Sequence, residues 1–152
     1  MQYIIVVLTY VIITYSGVAH AAGSSDVSEP KGGTEMVGVR KLVKMERYKD
    51  AITILDKVIS KQPDNADALN LLAFSQRKLD DLKASLANYK KALIIDPSHK
   101  DAHEYIGELY LGMGDTVSAE THLKRLESLR VRGCSQLDEL RAAIANYKKQ
   151  KR

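Results

Sequence analysis

AITILDKVISKQPDN at residues 51–65 and ASLANYKKALIIDPSHK at residues 84–100 are amphipathic runs, each ended by a proline. Pro63 and Pro97 stand 34 positions apart. A proline ring cannot continue a helical hydrogen-bond ladder, so each run closes there. A new run opens just after each proline, with Ala-Asp-Ala-Leu-Asn at 66–70 and Asp-Ala-His-Glu-Tyr at 101–105. One more shift of the same length gives AHEYIGELYLGMGD at 102–115 and VSAETHLKRLESL at 117–129. The chain therefore divides into three windows, 32–65, 66–99 and 100–133, each predicted to hold two helices.

The residues inside each window support the same reading. First helices carry packing groups at i, i+3, i+4 and i+7, as in Leu69, Leu72, Ala73 and Gln76. Second helices cover them with Ala51, Ile52, Leu55, Val58 and Ile59, or with Leu82, Leu86, Tyr89 and Leu93. Ala and Gly at close positions let paired helices approach. One such pair cannot bury its face alone, so the stack needs a cap. Gly133 suits a left-handed helix stop, and Ser135 with Asp138 has the form of a capping box. Residues 135–152 then give a basic capping helix with Leu137, Leu140, Ile144 and Tyr147 on one stripe, the last of seven expected helices.

With these motifs the chain resembles the tetratricopeptide-repeat family over residues 35–133. The second unit matches it at Leu69, Leu72, Ala73, Ser85, Tyr89, Ala92 and Pro97. The third matches at His103, Ile106, Gly107, Tyr110, Ala119, Leu123 and Leu126, with Gly114-Asp115 at the turn. The first departs from the pattern at Glu35 and Gly38, and the third lacks a closing proline, having Val131 there. The resemblance implies an all-α solenoid of three helix-turn-helix repeats plus the capping helix, taking peptides on its concave face. The stretches GVRKLVK, NADALNLLAFSQRKL, AHEYIGELYLGMGD and GCSQLDELRAAIANYKK are similar to a narrower group of exported proteobacterial three-repeat proteins of unsettled function. Many members carry a Cys where this chain has Arg130, so the intrachain disulfide that group implies is absent. The carboxylate clamp of chaperone-tail readers is not carried over either, because Met36, Arg40, Leu71, Asp101 and Tyr105 stand at its positions.

Ahead of the repeats, no side chain among the first 25 residues is charged. An apolar run from Tyr3 to Ala19, followed by Ala19-His20-Ala21, predicts a secretory signal over 1–21 with cleavage before Ala22, and hence a periplasmic protein. An uncleaved inner-membrane anchor is the alternative, at the short limit for a span. Residues 22–34 read as a flexible tether.

No nucleophile–base arrangement, phosphate loop or HExxH motif is present, so the expectation is a binding protein without enzyme activity or cofactor. His99, His103 and Glu104 are close enough in sequence to suggest a metal face, but packing and loop roles suit them better, and no metal is expected. Cys134 is a solitary thiol, expected as a half-buried unpaired residue, with an intermolecular disulfide as the alternative.

Repeat positions 2, 5, 9, 12 and 13 point away from the packing stripe and are expected to line the concave groove. They are Met36, Arg40, Val43 and Lys44, then Asp67, Asn70, Phe74, Arg77 and Lys78, then Asp101, Glu104, Glu108 and Leu111. From these the candidate peptide site comprises Arg40, Lys44, Asn70, Phe74, Arg77, Lys78, Glu104, Glu108 and Leu111. It reads basic at its amino-terminal half and acidic at its carboxyl end, with Phe74, the chain's single Phe, between them and outside the packing stripe. The expected partner is a protein or peptide and not nucleic acid. The net charge of +4 is concentrated behind Lys124, where nine Lys/Arg face three acids. That tail offers a second reading, contact with anionic membrane or envelope polymer, and a structural homo-oligomer is a third. The oligomeric state is left open.

Overall fold

A computed structural model describes residues 33–129 and 134–151. The leader at 1–21, most of the tether at 22–34 and the expected stop at Gly133 lie outside the described residues. Seven helices follow in order: α1 Gly33–Lys44, α2 Tyr48–Lys61, α3 Ala66–Lys78, α4 Leu82–Ile95, α5 Lys100–Gly112, α6 Thr116–Ser128 and α7 Ser135–Gln150. Gly33 and Thr34, read as tether, form the first turn of α1.

Each hairpin is built by the same local chemistry, repeated at 34 residues. The N–H groups of Arg47, Asp81 and Asp115 bond back to the carbonyls of Leu42, Gln76 and Tyr110. The residue just before each of these donors, Glu46, Asp80 or Gly114, has a positive φ of 58°, 65° or 82°. This is the turn that satisfies the last carbonyls of a helix through one left-handed residue. Asp81 and Asp115 then cap α4 and α6, accepting from the N–H groups of Ala84 and Ser118 at 3.1 and 3.0 Å. Asn65 and His99 do the same for α3 and α5, accepting from Ala68 at 3.0 Å and Ala102 at 3.3 Å.

The core is a chain of local clusters, as expected when each unit touches only its neighbours. Met36, Val39, Ala51, Leu55, Val58, Ala68, Leu71 and Leu72 join α1, α2 and α3. Ala73, Tyr89, Ile106 and Leu109 join α3, α4 and α5. Leu111, Ala119, Leu126, Leu140 and Ile144 join α5, α6 and α7.

The last helix begins differently from the sequence reading. Its N-cap is Cys134, not Ser135, and no side chain accepts a capping bond there. The Cys134 carbonyl already takes the Leu137 and Asp138 N–H groups, which places Ser135 inside the first turn. Gln136 of α7 donates to Asp101 of α5 at 2.7 Å. A Cβ built on Gly107 of α5 would strike Leu140, and one on Gly114 would meet the Tyr147 hydroxyl. These pairings advance together at spacings near one repeat length, so α7 runs parallel to α5 as the first helix of a fourth unit.

Candidate functional site

The concave face is lined by the first helices of the hairpins, whose flanks meet those of the next repeat. That stacking decides which predicted groove residues remain open. Position 5 is closed in every repeat: Met36, Asn70 and Glu104 are 3%, 2% and 4% exposed. Leu111 is buried beneath α7 with Leu140 and Ile144. Asn70 and Glu104 therefore do not line an open groove and Met36 belongs to the core, while Leu111, though largely covered, lines with Arg77 and Glu108 a pocket of about 370 Å³ against α7. A helical wheel gives the outward face of one helix but is blind to the neighbour laid along its flank.

The predicted separation of charge is also lost, because the opposed charges pair across repeats. Arg40 of α1 meets Asp67 of α3 at 3.3 Å. Asp67 also accepts from His99 Nε2 at 3.1 Å, and this bond is the main reason its carboxyl is held below the ordinary carboxylate range. Arg77 of α3 meets Glu108 of α5 at 2.9 Å in a half-buried pair. Glu104 lies against Glu139 of α7; burial first, and that carboxyl second, push Glu104 up to about 8. At neutral pH the acidic end thus holds one neutral carboxyl, Glu104, one committed to Arg77, Glu108, and one, Asp101, bonded to the Gln136 amide. Lys44 and Lys78 are exposed.

What the structure does assemble is an aromatic row. Phe74 sits between Tyr48 of α2, at 6.2 Å in an edge contact, and Tyr105 of α5, at 5.0 Å. The Arg77 guanidinium lies over both Phe74 and Tyr105, at 5.6 and 5.9 Å, and the Lys78 ammonium lies 5.3 Å from the Phe74 ring. Beneath them the Tyr89 hydroxyl and Arg77 Nε are buried without a partner among the described residues. Burial is the leading cause that raises the Tyr89 phenol above its ordinary range. Phe74 is only half open and packs against the cluster of Ala73, Tyr89, Ile106 and Leu109, so its removal costs packing as well as exposed surface. Position 9 is not free of the core, contrary to the sequence expectation. Tyr48 and Tyr105 were not among the predicted groove residues. Tyr105 occupies position 6 and Tyr48 opens a second helix, and both reach the row only through the stacking of three hairpins.

The other predicted features have structural places. His103 is in the core, while His99 caps α5 and bonds Asp67. Among the described residues, no group of three or more His, Cys, Asp or Glu is placed to hold a metal. Cys134 is buried and unpaired, its thiol donating to Gln136 Oε1 at 3.2 Å. Part of the basic tail is compensated: Lys148 pairs with Glu120, and Arg141 with Glu127 and Asp138. No described helix is long and apolar enough to cross a membrane.

Comparison with known proteins agrees with this architecture. Residues 66–99 match the sequence model of a family described as tetratricopeptide repeat. A TPR repeat-containing thioredoxin, TTL4, from Arabidopsis thaliana is 26% identical over 164 residues, covering 90% of this chain and 23% of its own length. The chain thus spans under a quarter of that relative. Among solved structures, the fold is similar to MamA from Desulfovibrio magneticus RS-1, 24% identical with a TM-score of 0.59, over 62% of this chain and 54% of that one. It is also similar to the Yersinia enterocolitica type III secretion translocator chaperone SycD, 13% identical with a TM-score of 0.69, over 77% of this chain and 91% of that one. SycD is matched as well in its complex with a peptide of the translocator YopD. One window, residues 66–99, matches the tetratricopeptide-repeat family directly, and the flanking hairpins repeat the same turns at 34 residues, so the chain has the fold of that family's helical hairpins.

Proposed function

We propose that this protein is a non-enzymatic adaptor that holds a segment of a partner protein on its concave face, and that it works in the periplasm. The observation that carries the reading is the row Tyr48–Phe74–Tyr105 with Arg77 and Lys78 over its rings. Aromatic anchors ringed by polar groups are where peptide interfaces concentrate their energy. SycD, of similar fold, is known with a bound peptide, which supports the class of partner. The open charge beside the aromatic row, Lys78, is cationic, so the segment this row suits has an apolar or aromatic anchor flanked by an acid. The basic end that the sequence invited finds Glu104 buried and Glu108 paired, with Asp101, bonded to the Gln136 amide, the acid left at that end. Export rests on the run Tyr3–Ala19 and the Ala19-His20-Ala21 site.

The test begins with affinity capture from envelope extracts and identification of the bound segment. Its affinity is then measured for the unmodified chain, Phe74→Ala and Lys78→Glu, well below each melting temperature. Phe74→Ala is expected to weaken binding at least about tenfold, a loss of ~1.4 kcal/mol or more, as for a central aromatic. Lys78→Glu is expected to weaken it less, and less still in high salt. A segment held equally by all three chains sinks the concave-face reading. Amino-terminal sequencing after cell fractionation is expected to find Ala22 leading in the periplasm; a cytosolic product starting at Met1 sinks export.

A further inference from the structure

On the opposite, convex side a pocket of about 330 Å³ opens between α4, α5 and α6, lined by Lys90, Leu93, Ile94, Ile106, Tyr110 and His122. Its walls are aliphatic and aromatic, the Tyr110 and His122 rings being stacked at 5.8 Å. Ile94 stands at its rim, 79% exposed. At roughly 30 Å³ per water-sized group, the space suits a ligand of about ten heavy atoms.

The hydrogen bonds fix the tautomers of the histidines behind this wall. His103 Nε2 donates to the Pro97 carbonyl at 3.1 Å, which leaves its Nδ1 as an acceptor. His103 Nδ1 and His122 Nδ1 are 2.9 Å apart, so His122 must supply the hydrogen between them. His122 Nε2 is then left with a lone pair and no partner among the described residues. Burial, then His103 and Lys90, hold His122 down to about 4, so the imidazole is neutral.

The surroundings of this lone pair are cationic. Lys90 is on the pocket wall, with Lys91 beside it on α4. Lys124 and Arg125 hold the same repeat positions on α6. No acid of the described residues pairs with Lys90, Lys91 or Lys124. Arg125 donates to the Pro97 carbonyl through Nε and Nη2 at 3.3 and 3.2 Å. An apolar cavity with an uncompensated ammonium and an imidazole lone pair is complementary to an apolar chain that ends in an anion.

We propose that this convex pocket binds a small apolar carboxylate, with Lys90 holding the carboxylate and His122 Nε2 taking up one proton from solvent as the ligand enters. The bound anion offsets the charge of Lys90 and Lys91 on α4 and of Lys124 and Arg125 on α6. His103 and Tyr110 of α5 face the same ring. The imidazolium then donates from Nδ1 to His103 and from Nε2 to the carboxylate, so one proton enters with each ligand. The site is separate from the concave aromatic row and does not depend on it.

Octanoate is the probe, titrated calorimetrically into the full chain at pH 7.5, 6.5 and 5.5, with 1-octanol as the uncharged control. One saturable site is expected, at least tenfold tighter at pH 5.5 than at pH 7.5, while 1-octanol shows no such dependence. Lys90→Glu, at an exposed position, is expected to weaken octanoate at least tenfold without changing the fold. His122→Gln should bind without the pH dependence. Because that variant removes a packed ring, long-range nitrogen NMR on the unmodified chain provides a second reading, with His122 Nε2 moving from unprotonated to protonated on saturation. Absence of a saturable site, equal binding by Lys90→Glu, weaker binding on acidification or an unmoved Nε2 signal each overturns the proposal.

Discussion

Leu140 of α7 lies directly on the bare Cα of Gly107 of α5: a Cβ at 107 would sit 2.7 Å from both of its Cδ atoms. The fourth-unit helix is held by this close approach, so Gly107→Ala overpacks it. The expected loss is about 1–3 kcal/mol in denaturant unfolding. Adding Leu140→Ala should return part of it, making the pair non-additive. Strict additivity in the double-mutant cycle would show that the contact is not shared.

The left-handed turn residue falls at Glu46, Asp80 and Gly114. Only glycine adopts that conformation without opposition from a Cβ. Glu46→Gly and Asp80→Gly are each expected to stabilise the chain by up to about 1 kcal/mol, Glu46 the more because aspartate tolerates the left-handed region better. Gly114→Ala is expected to destabilise by a similar amount. Thermal melts of the three variants check the sign at each site.

On the acid side, His122 is lowered to about 4 and His103 is lowered as well, burial leading in both. Unfolded histidine titrates near 6.5. The unfolded chain therefore binds more protons between those values, and stability falls as pH drops from about 6.5 towards 4. Melting temperature against pH should show this decline, and His122→Gln should shallow it. A variant curve parallel to the unmodified one would rule out the pair as its source.

Alkaline behaviour has the opposite sign. Glu104 is raised from 4.5 to about 8, so its contribution is complete below 4.5 and lost as pH climbs through about 8. Glu104→Gln cannot ionise and is expected to melt higher than the unmodified chain at pH 9, with little difference at pH 5. Equal melting temperatures at pH 9 would place the Glu104–Glu139 repulsion outside the folded state.

Cys134 is buried, unpaired and at the N-cap of α7 without a side-chain capping bond. Serine is a preferred cap of nearly the same size. Cys134→Ser is expected to change stability by about 1 kcal/mol or less, with monomer on non-reducing gels before and after. A dimer band that disappears in the variant would instead make this thiol an intermolecular link.

The repeat was legible because its determinants are local. Pro63 and Pro97 stop helices by covalent geometry, Asp81 and Asp115 cap through bonds three residues long, and a 3.6-residue stripe carries Leu55, Leu72 and Tyr89 inward. These are functions of near neighbours, so reading along the chain recovers them. The cap at Cys134 was missed by one residue because Ser135 has the better side chain; the backbone, whose carbonyl is already bonded, set the boundary.

The candidate site was legible only in its composition. One helix fixes that Arg77 and Glu108 leave the packing stripe, but not that Phe74 stays half in the core. It cannot fix that Arg77 is held by Glu108, that Arg40 is held by Asp67, or that α7 covers Glu104 and Leu111. Those pairings join residues about one repeat apart in sequence, on parallel helices whose separation is set by what packs between them. Tertiary packing also sets the Tyr48–Phe74–Tyr105 row, which draws on three hairpins, and the contact of His103 with His122 across one hairpin. Local stereochemistry made this chain a stack of helical hairpins. The stacking itself, through the side chains that neighbouring first helices press together, decided which charges were neutralised and which aromatic faces stayed open.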